Sequence, residues 1–151
     1  MAVVYIQQER EGCAAMIVVG YSGGTGARAC VEQAIVEGVA RDTGILVINA
    51  VSGGRSHRIV DAEEIADVEQ RLSRSGVQFT ISQPIGGDPA EELLLAMDRP
   101  EAEMLVIGMR RRTQVGKLFL GSTSQYLLAE CAKPVLVVKP GAVGAGDGVV
   151  D

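Results

Sequence analysis

Between Gly108 and Ser124 the chain reads GMRRRTQVGKLFLGSTS, gathering loop glycines, three consecutive arginines, a lysine and a closing Ser-Thr-Ser. These groups suit an anion, most often a phosphate. The start of a helix leaves backbone N–H groups unpaired and carries a partial positive charge, and a glycine there lets a ligand approach the backbone. The segment has the right flanks. Met104–Ile107 before it is a short apolar run that reads as a strand buried on both faces, and Tyr126–Ala132 after it reads as a helix. Each feature also has a plainer use. Gly121-Ser122-Thr123-Ser124 could simply cap the helix, and Arg110-Arg111-Arg112 with Lys117 could be a solvated loop.

A second glycine-rich turn, Gly20-Tyr21-Ser22-Gly23-Gly24-Thr25-Gly26, follows the strand read at Ala14–Val19. Its start fits G-x-S-x-G, the turn that exposes a hydrolase serine, and Asp42 and His57 follow Ser22 in the matching chain order. A serine hydrolase using Ser22 is therefore a remote alternative, since nothing in the sequence brings Asp42 to His57. Gly116-Lys117 is no phosphate-loop motif, because the glycine required five residues before Gly116 falls on Arg111; the dinucleotide fingerprint fails where its third glycine falls on Ala29. Cys13, Cys30 and Cys131 lack metal-ligand spacing and read as reduced and buried. His57, the sole histidine, reads as a surface residue.

These loops need elements to hold them. A helix with apolar residues at Cys30/Val31, Ala34/Ile35 and Gly38/Val39 ends at Asp42-Thr43-Gly44. Ile45–Val51 reads as the second strand, and Asp61–Ser75 as a helix burying Ile65, Val68 and Leu72 before the stop at Gly76. Val77–Ile81 alternates and reads as a half-exposed edge strand. Asp88-Pro89-Ala90-Glu91 starts a helix with Asp88 as cap, Pro89 in the first turn and Glu91 completing a capping box; Pro100 closes it. Val135–Val138 is the last strand. Five strands alternating with four helices demand a mostly parallel sheet with helices on both faces.

With 151 residues, 47% of them hydrophobic, the chain has material for one domain with a substantial core. A net charge of −5 argues against a general nucleic-acid binder. No charged-then-apolar leader and no apolar run of about 20 residues is present, which predicts a cytoplasmic protein away from the membrane. The organisation expected is an N-terminal extension over 1–12, either an added edge strand or a loose arm, a domain over 13–140, and a disordered glycine-rich tail over 141–151.

The spacing from Gly108 to Gly121-Ser122 resembles the nucleotide loop of the universal stress protein family: a glycine, two residues, a glycine, nine residues, then Gly-Ser or Gly-Thr. Gly87-Asp88-Pro89-Ala90-Glu91-Glu92 and Lys133-Pro134-Val135-Leu136-Val137-Val138 are similar to the family as well, and the likeness runs from about Met16 to Pro140. The resemblance implies an open, doubly wound five-stranded parallel α/β sheet in the order 3-2-1-4-5, like the adenine nucleotide alpha hydrolases. Strands one and four would lie side by side, their glycine loops meeting at the topological switch point.

By the same resemblance the chain binds an adenine nucleotide, ATP or AMP, through Tyr21, Ser22, Val51, Gly108, Met109, Arg111, Gly121, Ser122, Thr123 and Ser124. It would pair as a homodimer through Val135, Leu136, Val137 and Val138. No general base or metal site accompanies the pattern, so at most slow ATP hydrolysis is expected. Three departures stand out: Arg111 replaces the family's second glycine, Ser22 its aspartate and Gly24 its serine. Arg111 and Ser22 favour the alternative, a nucleotide-free dimeric stress protein acting through a protein partner. A positive φ at the family glycine would cost an arginine about 1–2 kcal/mol.

Overall fold

The structure, a computed structural model, describes residues 5–8, 15–50, 60–111 and 117–141. Its elements in chain order are β1 (Tyr5–Gln8), β2 (Met16–Gly20), α1 (Gly24–Arg41), β3 (Gly44–Ile48), α2 (Ala62–Ser75), β4 (Phe79–Ser82), α3 (Pro89–Met97), β5 (Ala102–Gly108), β6 (Arg110–Arg111), β7 (Leu118–Phe119), α4 (Ser122–Glu130) and β8 (Val135–Val138).

One sheet runs β1-β4-β3-β2-β5-β8. Every pairing in it is parallel except that of β1, which lies antiparallel against β4 with Tyr5 opposite Ser82 and Gln8 opposite Phe79. Numbering only the parallel strands gives 3-2-1-4-5, the order expected. The half-exposed edge assigned to Val77–Ile81 is corrected: β1 covers that flank, so β4 is an interior strand and buries Phe79, Ile81 and Ser82. Of the two readings of the N-terminal extension, Tyr5–Gln8 takes the added strand. Cys13 and the residues from 142 to 151 lie outside the described residues.

The apolar runs become the central strands because a parallel sheet covered on both faces needs apolar side chains pointing both ways. In β2, Ile17 and Val19 join a core with Cys30, Val31 and Val68, while Val18 joins another with Leu93, Leu105 and Leu127. Helices α1 and α2 pack on the first face and α3 and α4 on the second. Helix α3 starts where its Asp88 cap predicts, and α2 has a cap of the same kind at Asp61. Asp61 accepts from the Glu64 amide at 2.9 Å, and Asp88 accepts from the Ala90 amide at 3.1 Å.

Candidate functional site

All four helices follow a strand, so their N-termini gather at the C-terminal ends of the strands, where ligands bind in open α/β sheets. The glycine-rich turn after β2 and the residues after β5 meet there. A Cβ built on Gly26 would come within 3.3 Å of the Met109 carbonyl, and one on Gly108 within 3.4 Å of the Gly26 carbonyl. Backbone runs against backbone at this crossing, and glycine is what allows it. Gly108 therefore also serves packing, besides any role toward a ligand.

Tyr21 is 3% exposed and its amide donates to the Ile48 carbonyl. Its hydroxyl donates to Glu64 Oε1 at 2.6 Å, and the same oxygen accepts the Gly24 amide at 2.8 Å. Burial, reinforced by the Glu64 carboxylate, holds the Tyr21 phenol well above its usual pKa, so it stays a donor. Ser22 is exposed beside it. Asn49, fully buried at the end of β3, donates to the Tyr21 carbonyl at 2.9 Å and accepts from Gln83 at 3.1 Å. Gln83 also donates to the Val60 carbonyl. This polar network ties the loops after β2, β3 and β4 together. Neither Glu64 nor Asn49 stands out in the sequence, because each acts through contacts distant in the chain.

On the other side, β5 runs through Met109 into a two-rung hairpin, Arg110 opposite Phe119 and Arg111 opposite Leu118. This hairpin was not foreseen. It corrects the expected strain at Arg111: among the described residues only Asp42 has a positive φ outside glycine, so the arginine is in extended backbone at no left-handed cost. Arg110 and Lys117 are exposed. Helix α4 begins at Ser122, earlier than the apolar pattern from Tyr126 suggested, so Ser122, Thr123 and Ser124 form its first turn. Gly121 is its N-cap, with no side-chain cap hydrogen bond, and a Cβ there would meet nothing within 4 Å.

Thus Tyr21, Ser22, Gly108, Met109, Arg111, Gly121, Ser122, Thr123 and Ser124 all lie in a strand end, the small hairpin, loops or helix starts at one end of the sheet. Val51 and Arg112 lie outside the described residues, as does His57. Asp42 terminates the 18-residue helix that Ser22 precedes, so the two are about 27 Å apart. They cannot share a hydrolytic triad. Among the described residues no group of three or more His, Cys, Asp or Glu could hold a metal ion, and no helix is long and apolar enough to cross a membrane.

The model of the universal stress protein family matches residues 15–139. A universal stress protein of Mycolicibacterium smegmatis is 58% identical over 127 residues, covering 83% of this chain and 98% of that protein. Among solved structures, the universal stress protein of Archaeoglobus fulgidus in complex with dAMP superposes with a TM-score of 0.58 at 20% identity, over 83% of this chain and 97% of that one. A universal stress protein in complex with cAMP gives 0.61 at 18%, again over 83% and 97%. Sequence match, relative and sheet order agree: the chain belongs to the universal stress protein family.

Proposed function

We propose that this chain is an adenine-nucleotide-binding regulatory protein of the stress response, taking ATP or AMP in the cleft between the turn after β2 and the segment from Gly108 to Ser124. The observation that carries it is the uneven cover of the helix starts. At α2 and α3 an Asp cap accepts a backbone amide and glutamates occupy the first turn. At α1 the Glu64 carboxylate accepts the Gly24 amide. Helix α4 shares with α1 the lack of a cap side chain and of acidic residues in its first turn, but among the described residues no carboxylate from elsewhere accepts its first amides. Its amides, three hydroxyl side chains and open Gly121 fit a phosphate group, with exposed Arg110 on the hairpin and exposed Lys117 just before its second strand. The dAMP and cAMP bound by the two structural relatives are the same class of ligand.

Mass spectrometry of ligand released from a native preparation, followed by calorimetry with ATP and AMP, tests it. Co-purified adenine nucleotide or micromolar binding supports the reading; a ligand-free preparation that takes up neither overturns it.

A second reading concerns assembly. Among the described residues strand β8 pairs on one side only, with β5, and Val135, Leu136 and Val137 remain half-buried. An apolar edge of this kind is an aggregation hazard unless covered, and a two-fold pairing of β8 with its copy would cover it. The homodimer would act through a protein partner even without nucleotide. Light scattering at tens of micromolar tests it: a dimer that Val137→Lys dissociates supports the pairing, and a monomer excludes it.

A further inference from the structure

We propose that Glu64 is the specificity-determining residue of this cleft: its carboxylate closes the N-terminus of α1 to the ligand's phosphates and confines them to the α4 side. This rests on the nucleotide-binding reading above and adds to it an orientation and a selectivity.

Helix α1 opens without help from its own sequence. Its N-cap is Gly23, with φ 88° and no side-chain cap hydrogen bond, and its first turn has no acidic residue. Glu64 supplies both from another helix. One carboxylate oxygen takes the Gly24 amide at 2.8 Å and the Tyr21 hydroxyl at 2.6 Å, on either side of Ser22. A Cβ on Gly23 would lie 3.7 Å and 3.9 Å from the two carboxylate oxygens, so the whole group rests against the turn. Glu64 is itself fixed, because its amide is the one that Asp61 accepts at the start of α2. Arg28, on α1, lies 4.0 Å from Asp67 and also reaches the Tyr21 hydroxyl that Glu64 holds, so the Glu64 charge is offset in part by a cation shared with a second carboxylate.

The two walls of the cleft therefore differ in sign. The α1 side presents a held carboxylate where a helix start would otherwise attract an anion, and the α4 side has no cap side chain and is preceded by exposed Arg110 and Lys117. A phosphate placed at α1 would meet a like charge at close range, which disfavours binding by about tenfold or more in a partly exposed site. The ligand class that fits has its anionic groups at one end only, and hydroxyl or amino donors at the other. Discrimination here comes from a repulsive element as much as from an attractive one.

Glu64→Gln keeps an acceptor for the Gly24 amide and the Tyr21 hydroxyl but removes the charge. Calorimetry on this variant is expected to give ATP an affinity about tenfold higher than in the unchanged protein, with adenosine unaffected. Tyr21→Phe removes one hydrogen bond and keeps the charge, so it should leave the ratio of ATP to adenosine affinity unchanged. Melting with inorganic pyrophosphate, against sodium chloride of equal ionic strength, asks the same question without a nucleotide. It should raise the Tm of Glu64→Gln more than that of the unchanged protein. If the Gln variant does not fold, Glu64→Ala should shift pyrophosphate stabilisation in the same direction. Equal pyrophosphate responses with and without the charge, ATP and adenosine changing in parallel, or a Tyr21→Phe variant behaving like Glu64→Gln, would each overturn the proposal. Failure of ATP and AMP to bind any variant, with the pyrophosphate difference intact, would overturn the nucleotide reading alone.

Discussion

Gly108 lies directly over the thiol of Cys30: a methyl group at residue 108 would stand 3.0 Å from that sulfur. Helix α1 thus packs against the end of β5 through a glycine and a fully buried cysteine. Gly108→Ala should destabilise the protein by about 1–3 kcal/mol by overpacking. Cys30→Ala should destabilise it as well, while the double variant should recover part of the Gly108→Ala loss. Urea unfolding of the set measures the coupling; additive losses would show that the contact is not shared.

The same burial pushes the Cys30 thiol up to about 12, from 9.0. The folded protein therefore holds a proton there that the unfolded chain loses between those values. The stability associated with it is present below pH 9 and declines as the pH rises toward 12. Melting curves from pH 8 to 11 should fall, and fall less in Cys30→Ala. Alkylation mapped by peptide mass spectrometry should spare Cys30 in the folded protein and reach it in guanidinium; half-buried Cys131 should react first of the two.

Gly121→Ala separates folding from binding. Gly121 has φ −66°, and the space beside it is open to 4 Å. The variant should fold with a stability within about 0.5 kcal/mol of the parent. Its affinity for ATP should drop about tenfold or more if phosphate oxygens rest against that backbone. Calorimetry beside thermal melting reports both quantities, and unchanged affinity would move the phosphates away from α4.

Thr43, at the opposite end of the sheet, is 6% exposed, and its hydroxyl finds no hydrogen-bond partner among the described residues. Val has nearly the same shape without that unpaired group. Thr43→Val should raise stability by about 1 kcal/mol, read as a higher urea midpoint with an unchanged slope. A lower midpoint would mean that the hydroxyl is satisfied in solution.

Much of this was legible in the residue pattern, for identifiable reasons. Short apolar runs such as Ile45–Ile48 and Met104–Ile107, bounded by turn residues, read as strands covered on both faces, and Asp88 is a local cap that acts within its own helix. The hairpin at Arg110–Arg111 and Leu118–Phe119 was not legible, because two-residue strands carry no periodicity. The start of α4 was misjudged because Ser122–Ser124 precede its apolar residues. Val77–Ile81 looked like an edge because its alternation is real, while its cover comes from Tyr5–Gln8, far away in the chain. Glu64 escaped notice for the same kind of reason: it acts on Gly24, 40 residues distant.

The position of β2 sets a timetable for biosynthesis. It pairs with β3 on one side and with β5 on the other, Met16 against both Gly44 and Ala102. During translation its first neighbour is available early, but its second emerges only after most of the domain has been made. Until then an apolar flank of β2 and much of the α3 face stay open, the kind of surface that recruits chaperones or aggregates. A chain stalled before residue 102 should therefore be captured by ribosome-associated chaperones, and one extended past Val138 with room to clear the exit tunnel should be released from them.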